Sequence, residues 1–364
     1  MKQKRVLLIG PFPPPIGGDT IPTLNILRSE YWSRSGIEVE HVNTSAGDRV
    51  RVADEKHSVA DVLRGIRIMI RVMRKLPRVR LVLLLANCRF ICTMGLPVIL
   101  LSRVMRKPIV IKPFGAMLGE RIGAMEPLRK SLTMSLLNRA AFIFPQTRRL
   151  AEELVNDAGM DAARVVHFPN FLPDEAFRPE YRKKRFAGAC VFVGQIKREK
   201  GVFDIIEALR GQEGITCDFF GPIVDRDHDA FVTALSGDGN CAYRGIVEPD
   251  SVVETIGAYD VLLLPSYHPG EGYPAVILQA FAAGVPVIAS SWKDIPEMVE
   301  DGSTGILVPA RAPARIREAL RRIAVDGDLY ESMAAKAFAV SRDFSEKAIV
   351  NDILITRVSG LLPS

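Results

Sequence analysis

The sequence predicts an α/β protein built from two doubly wound units, each a parallel sheet covered by helices. Three observations carry this. Short β-branched or leucine-rich runs alternate with helical patterns along almost all of the 364 residues. Most of these runs lack the alternation of a half-exposed strand, so they read as strands buried on both faces, the mark of a parallel sheet. The alternation breaks once, over residues 171–188 (FLPDEAFRPEYRKKRFAG), a proline-bearing, charged stretch without a period. A composition of 48% hydrophobic and 25% charged residues suits two or three globular domains and excludes disordered and fibrous chains.

Taken in order, strands are expected at residues 5–10, 37–43, 81–86, 108–112, 141–145 and 164–168 in a first unit, residues 1–170. After the 171–188 linker, a second unit, residues 189–344, carries strands at 189–194, 215–221, 241–245, 260–265, 285–290 and 305–308. A terminal helix, residues 345–364, has Ser345 as N-cap candidate and places Ala348, Ile349, Ile353, Leu354, Val358 and Leu361 on one face. The most apolar window, 81–101, contains Asn87, Arg89, Gly95 and Pro97. A membrane span needs about 20 apolar residues with few charges, so this window reads as a buried strand followed by a helix. The apolar run of MKQKRVLLIGPFPPP is only about five residues long and ends in prolines, too short for a secretory signal. Cys88, Cys92, Cys190, Cys217 and Cys241 lack finger spacing and read as reduced core thiols of a cytoplasmic protein.

The net charge of +6 hides an asymmetry. Residues 1–184 carry 31 Lys and Arg against 17 Asp and Glu, +14, whereas residues 185–364 carry 17 against 25, −8. Much of the excess lies in DVLRGIRIMIRVMRKLPRVR, residues 61–80. On a helix, Arg64, Arg67, Arg71, Arg74, Lys75 and Arg78 share an arc of roughly 100°, opposite Leu63, Ile66, Met69, Ile70, Met73 and Leu76. Two readings stand: a sheet-covering helix with its arginines in water, or a basic face docked on anionic lipid. Without finger spacing, an RNP-like aromatic run or a helix-turn-helix, nucleic acid is not an expected partner.

Open parallel sheets bind ligands at the carboxyl ends of their strands, so the loops there are the place to look. GPFPPPIGGDT puts Gly17 and Gly18 before a helix, where backbone N–H groups can meet an oxyanion; a plain tight turn reads as well. FVGQIKREKG puts Lys200 and Gly201 at a strand-to-helix turn, suited to neutralising a diphosphate or merely solvated. LLLPSYHPGEGYPAVILQAFAAG presents His268, Gly270, Glu271 and Gly272 before a helix that carries Gln279 two turns on. Eight helical residues rise about 12 Å, comparable to the reach from a sugar across a diphosphate to a ribose. Taken alone, a glutamate in the place of Glu271 is more often a partner of the helix dipole than a catalytic acid.

Together GPFPPPIGG, VVHFPNF (165–171), FVGQIKREKG, PSYHPGEGYPAVILQAFAAGVPVIAS (265–290) and DIPEMVEDGSTGILVP (294–309) resemble the retaining nucleotide-sugar glycosyltransferases of family 4, which have the GT-B fold. The likeness spans most of the chain and is most specific over residues 191–309. It implies two Rossmann-like domains facing a cleft, a nucleotide-sugar in the second domain, and a terminal helix crossing back to the first. Glu271 matches the first glutamate of the family's E-x7-E motif, which contacts the donor sugar. Lys200 matches its phosphate-binding lysine, and Gly17 and Gly18 its N-terminal glycine loop. Gln279 stands in place of the second glutamate and Gln195 in place of an arginine on the diphosphate, a charge that Arg198 is placed to restore. Phe114-Gly115 replaces a His-Gly pair, with Lys112 or His268 as substitutes, and Asn170-Phe171 replaces an Asn-Gly pair.

The resemblance implies transfer of a hexose with retained anomeric configuration, without a metal or other cofactor. The acceptor is expected to be a glycan or a polyprenyl-linked sugar of surface polysaccharide or glycolipid assembly, at the inner face of the cell membrane. Three alternatives are weighed: a nucleotide-sugar-binding partner without turnover, an epimerase on the same fold, and a metal-dependent transferase using Asp225, Asp227, His228 and Asp229 of VDRDHD.

Overall fold

The computed structural model describes residues 4–14, 17–45, 59–177, 185–237 and 239–362. Residues 178–184 of the expected linker, and Pro15 and Ile16 of the first loop, lie outside them. The chain divides into two compact units: residues 1–170 together with 346–364, and residues 171–345.

The first unit holds a parallel sheet of β1 (Lys4–Gly10), β2 (Ile37–Asn43), β3 (Leu81–Asn87), β4 (Ile109–Phe114) and β5 (Phe142–Ile143), in the order β2-β1-β3-β4-β5. Leu7, Ile9, Val82, Leu84, Ile109 and Ile111 point to one face, where they meet the Val59–Lys75, Leu96–Val104 and Pro127–Leu137 helices in one core. Alternate residues such as Leu8, Leu83 and Val110 are buried on the other face. The terminal segment is helical, Lys347–Ile355 in wide turns followed by Thr356–Leu361, and buries Ile349, Val350, Leu354, Ile355 and Val358.

The expected strand at 164–168 does not form. Val166 and Phe168 donate backbone hydrogen bonds to Ile143 and Pro145, but Ile143–Val165 is a single isolated bridge. β5 is two residues long and is followed by Pro145 and Pro169 around the pairing site; neither proline has an N–H to extend a ladder.

The second sheet contains β6 (Ala189–Val193), β7 (Thr216–Phe220), β8 (Cys241–Tyr243), β9 (Val261–Leu264), β10 (Val287–Ser290) and β11 (Gly305–Val308), ordered β11-β10-β9-β6-β7-β8 and parallel throughout. It has its own core. The order reverses between β6 and β9, so the loops after these two strands diverge from a topological switch point, where open sheets leave a crevice. The corresponding point of the first sheet lies between β1 and β3. All five cysteines are free thiols, and all but Cys88 are buried.

The Val59–Lys75 helix differs from the two-sided reading. Gly65, Ile68 and Val72, with Leu76 just beyond the helix, form the buried stripe. Leu63, Ile66, Ile70 and Met73, expected on the core side, are exposed. Gly65 has no side chain to hold the helix off, and a Cβ there would stand 3.2 Å from the Met94 side chain of the Ile91–Gly95 helical segment, so the close contact falls on this stripe.

Candidate active site

The site assembles from the two loops at the switch point of the second sheet. After β6 the chain turns through Gly194 and Gln195, forms a short 3-10 turn over Arg198–Lys200, and enters the Val202–Leu209 helix at Gly201. Gly201 has φ of +76°, and a Cβ there would stand 2.4 Å from the carbonyl oxygen of Pro265. Only glycine suits such a left-handed residue pressed on a neighbouring backbone, so the two loops are locked together at this point. Tyr267 N–H donates to the Glu199 carbonyl at 2.8 Å, a second tie. The buried Asp227 accepts from the backbone N–H of Arg198 at 3.0 Å and anchors the turn from the other side.

Across this junction Lys200 and Glu271 form an ion pair. The ammonium donates to both carboxylate oxygens, at 2.9 and 2.7 Å. The Ser266 hydroxyl donates to Oε2 of the same carboxylate, and Ser290 donates to the Ser266 carbonyl. Glu271 is almost wholly buried. Burial raises its pKa, but the charge and hydrogen bonds of Lys200 and the Ser266 hydroxyl outweigh it and hold the carboxyl below the usual range. His268, three residues before Glu271, is pushed down to about 4 by burial and then by Lys197 and Lys200. Its ring is neutral at pH 7, with Nε2 3.5 Å from the Lys197 ammonium and its carbonyl held by the Trp292 indole N–H at 2.9 Å. Lys197 is itself shifted down by burial and by Lys200.

Lys200, Glu271 and His268 thus stand together, with Gly270 and Gly272 beside them in the loop. Gln279 lies part-buried in the Ala275–Ala282 helix that follows. Gln195 is part-buried in the turn after β6. Arg198 is exposed, its guanidinium stacked 4.3 Å above the Phe203 ring. Sequence reasoning missed Lys197, Ser266, Ser290 and Trp292. A signal for Lys197 was present: it is a second cation three residues before Lys200 in the same strand-to-helix loop, near enough for the Lys200 charge to act on it. Asp227, weighed as a metal ligand, anchors the loop by accepting from the Arg198 N–H, with Arg226 Nε 3.6 Å away.

Gly17 and Gly18 lie in the first unit, after β1 and before the Thr20–Arg28 helix. Gly17 N–H donates to the Thr20 hydroxyl at 2.9 Å. Neither glycine has a left-handed φ, and a Cβ at Gly18 would meet nothing within 4 Å. Asp19 beside them has its pKa raised by burial, against hydrogen bonds that include the Asn87 side chain at the end of β3. Lys112 is not at a surface: it is fully buried, donates to the Phe168 carbonyl at 3.2 Å, and sits over the Phe114 and Phe168 rings at 5.2 and 4.7 Å. Burial drives its pKa down to about 7. Gly115 N–H donates to Gln146, whose amide donates to Asn170. Arg64 pairs with Asp61 and Lys75 with Glu40, while Arg67, Arg71, Arg74 and Arg78 are exposed, also in the first unit.

Residues 174–340 match the family Glycosyl transferases group 1. The two parallel-sheet units have GT-B glycosyltransferase neighbours: the Anabaena protein Alr3699/HepE, solved in complex with UDP-glucose, aligns over 97% of this chain and 98% of its own at a TM-score of 0.73 and 16% identity. Among sequence relatives, an alpha-D-kanosaminyltransferase of Streptomyces kanamyceticus is 26% identical over 65% of this chain and 67% of its own length. An alpha-galactosylglucosyldiacylglycerol synthase of Streptococcus pneumoniae is 25% identical over 61% of this chain and 62% of its own. Several relatives are named as glycosyltransferases, while one of Streptomyces coelicolor, 30% identical over 56% of this chain and 22% of its own length, is an exopolysaccharide phosphotransferase.

Proposed function

We propose that this chain transfers a hexose from a nucleotide diphosphate sugar to a glycan or polyprenyl-linked acceptor, with retention of anomeric configuration, as a metal-independent member of family 4. The observation that carries the reading is the buried Lys200–Glu271 pair beside a neutral His268 at the switch point of the second sheet. A departing nucleoside diphosphate needs fixed positive charge, and preorganised groups in a water-poor site supply it without reorganisation. Lys200 has a third N–H beyond the two given to Glu271, and Lys197 stands one turn away. Lys197, rather than Arg198 on its phenylalanine, is the better replacement for the charge absent at Gln195. Glu271 orients donor hydroxyls as an acceptor, with Ser266 fixing its rotamer. The N-terminal turn of the Ala275–Ala282 helix adds backbone donors, and Gln279 offers one amide acceptor toward a ribose. Gly17 and Gly18 are required by neither packing nor backbone angle in the chain itself, which suits a loop kept small to let a phosphate or sugar approach.

The test is nucleotide release from UDP- and GDP-sugars in the presence of candidate acceptors, starting with UDP-glucose because the Anabaena neighbour was solved with it. Glu271→Ala and Lys200→Ala are each expected to lower turnover by about 10²–10³-fold, the usual loss for one electrostatic stabiliser. Full activity in both variants refutes the site, loss of activity in chelator refutes metal independence, and an inverted anomer in the product refutes retention. A second reading, a nucleotide-sugar-binding partner without turnover, is favoured by Gln195, Gln279 and Phe114. Calorimetric binding of a donor with no nucleotide release under any acceptor decides for it.

A further inference from the structure

The Val59–Lys75 helix carries more apolar surface than its core stripe uses. With 100° per residue, the buried stripe of Gly65, Ile68 and Val72 is followed around the helix by an exposed apolar strip, then by the basic row. The strip consists of Val62, Leu63, Ile66, Ile70 and Met73, between 38% and 58% exposed. It spans roughly 100°, and the arginines fill roughly the next 100°. Exposed apolar side chains occur on other helices of the same unit as well. Leu100 and Val104 on Leu96–Val104, and Leu128 and Leu132 on Pro127–Leu137, are exposed on the two helices that share its core. Among the described residues, every other large exposed apolar side chain, Val232, Tyr243, Ile246 and Val325, belongs to the second unit. Monomeric proteins scatter such side chains singly, and a concentration of them bordered by charge marks an interaction surface.

The charge selects the occupant. Arg67, Arg71, Arg74 and Arg78 form no ion pair among the described residues, and Arg103 and Arg129 add exposed cations on the neighbouring helices. A second copy docking strip to strip would bring these rows of like charge together, whereas an anionic bilayer offers apolar depth and negative phosphates side by side. Long basic side chains reach phosphates from an apolar seat by snorkelling. No helix among the described residues is long and apolar enough to cross a membrane, so the fit is to a surface. We propose that this face of the first unit lies in the interface of an anionic lipid bilayer, the apolar strip at the acyl boundary and the arginine row among the phosphates.

Vesicle sedimentation of the full chain, without donor or acceptor, tests this apart from the transferase reading. The vesicles are phosphatidylcholine alone, and phosphatidylcholine with phosphatidylglycerol in equal parts, at low and high salt. The protein is expected to partition at least about tenfold more strongly to the anionic vesicles. Each arginine near such a surface is worth about fivefold, so Arg67→Ala/Arg71→Ala/Arg74→Ala should lose on the order of a hundredfold. Leu63→Gln/Ile66→Gln/Ile70→Gln should bind more weakly, with the remainder released completely by high salt. Equal partition to both vesicles, or unchanged binding in both triple variants, overturns the proposal. So does a concentration-dependent dimer that the leucine and isoleucine variant abolishes, because the strip then has a second copy as its occupant.

Discussion

Glu271 keeps its negative charge with almost no water around it, and Lys200 is the reason. Removing one partner of a buried pair leaves an uncompensated charge, so Lys200→Ala should destabilise the second unit by about 3–5 kcal/mol in urea denaturation. Lys200→Met combined with Glu271→Leu should recover most of that loss while leaving turnover abolished, which separates the electrostatics of folding from those of catalysis. His268 and Glu271 both have folded pKa values below their ordinary ones, so the native state binds fewer protons than the unfolded chain. Their stabilisation is complete above about pH 6.5 and is lost as pH falls, through about 4 for His268 and through the depressed range of Glu271. His268→Phe should therefore flatten the acid limb of stability between pH 6.5 and 4. Lys112 acts at the other end. Its folded pKa of about 7 lies below the ordinary 10.5, so stability rises as pH increases between them, by up to about 1.4 kcal/mol per unit, and Lys112→Met removes the rise.

At the scale of elements, the turn at Gly201 fixes the site more than any hydrogen bond does. Gly201→Ala forces a Cβ onto Pro265 and a left-handed φ onto alanine. A loss of at least about 2 kcal/mol in denaturant midpoint measurements is expected, with a weaker donor affinity as the loops after β6 and β9 part. Much of this was legible in the chain. Eleven of the expected strands form because unbroken apolar runs bounded by glycine and proline leave few alternatives. Lys200, Gly201 and Glu271 were visible because they sit at strand-to-helix turns. Ser266 and Ser290 were not, since a short polar residue near a strand end looks the same whether it holds a neighbouring group or faces water, and Trp292 was not, since a lone tryptophan reads as core packing before it reads as a donor to a loop carbonyl. The Val59–Lys75 helix shows a further limit: a helical wheel separates apolar from charged residues but does not say which part of a broad apolar arc the sheet occupies. Residues 164–168 have strand composition, yet the prolines nearby deny them a ladder.

On the scale of the molecule, the two hydrophobic cores are separate clusters, one per unit. Calorimetry should accordingly resolve two transitions, and a donor nucleotide binding the second unit should raise only that one. The expected gain is about 2.7 kcal/mol at a hundredfold excess over Kd. The +14 of residues 1–184 now has an address in the arginine row, while the second unit, poor in positive charge, concentrates two lysines where its switch-point loops meet. Residues 346–364 belong to the first unit although they follow the whole of the second. A ribosome therefore finishes the second unit before it delivers the last helix of the half that began first. Until then the buried partners of Ile349, Val350 and Leu354 stay bare, so the unit made earliest matures last, and a stop codon after residue 345 exposes its core rather than merely trimming a tail.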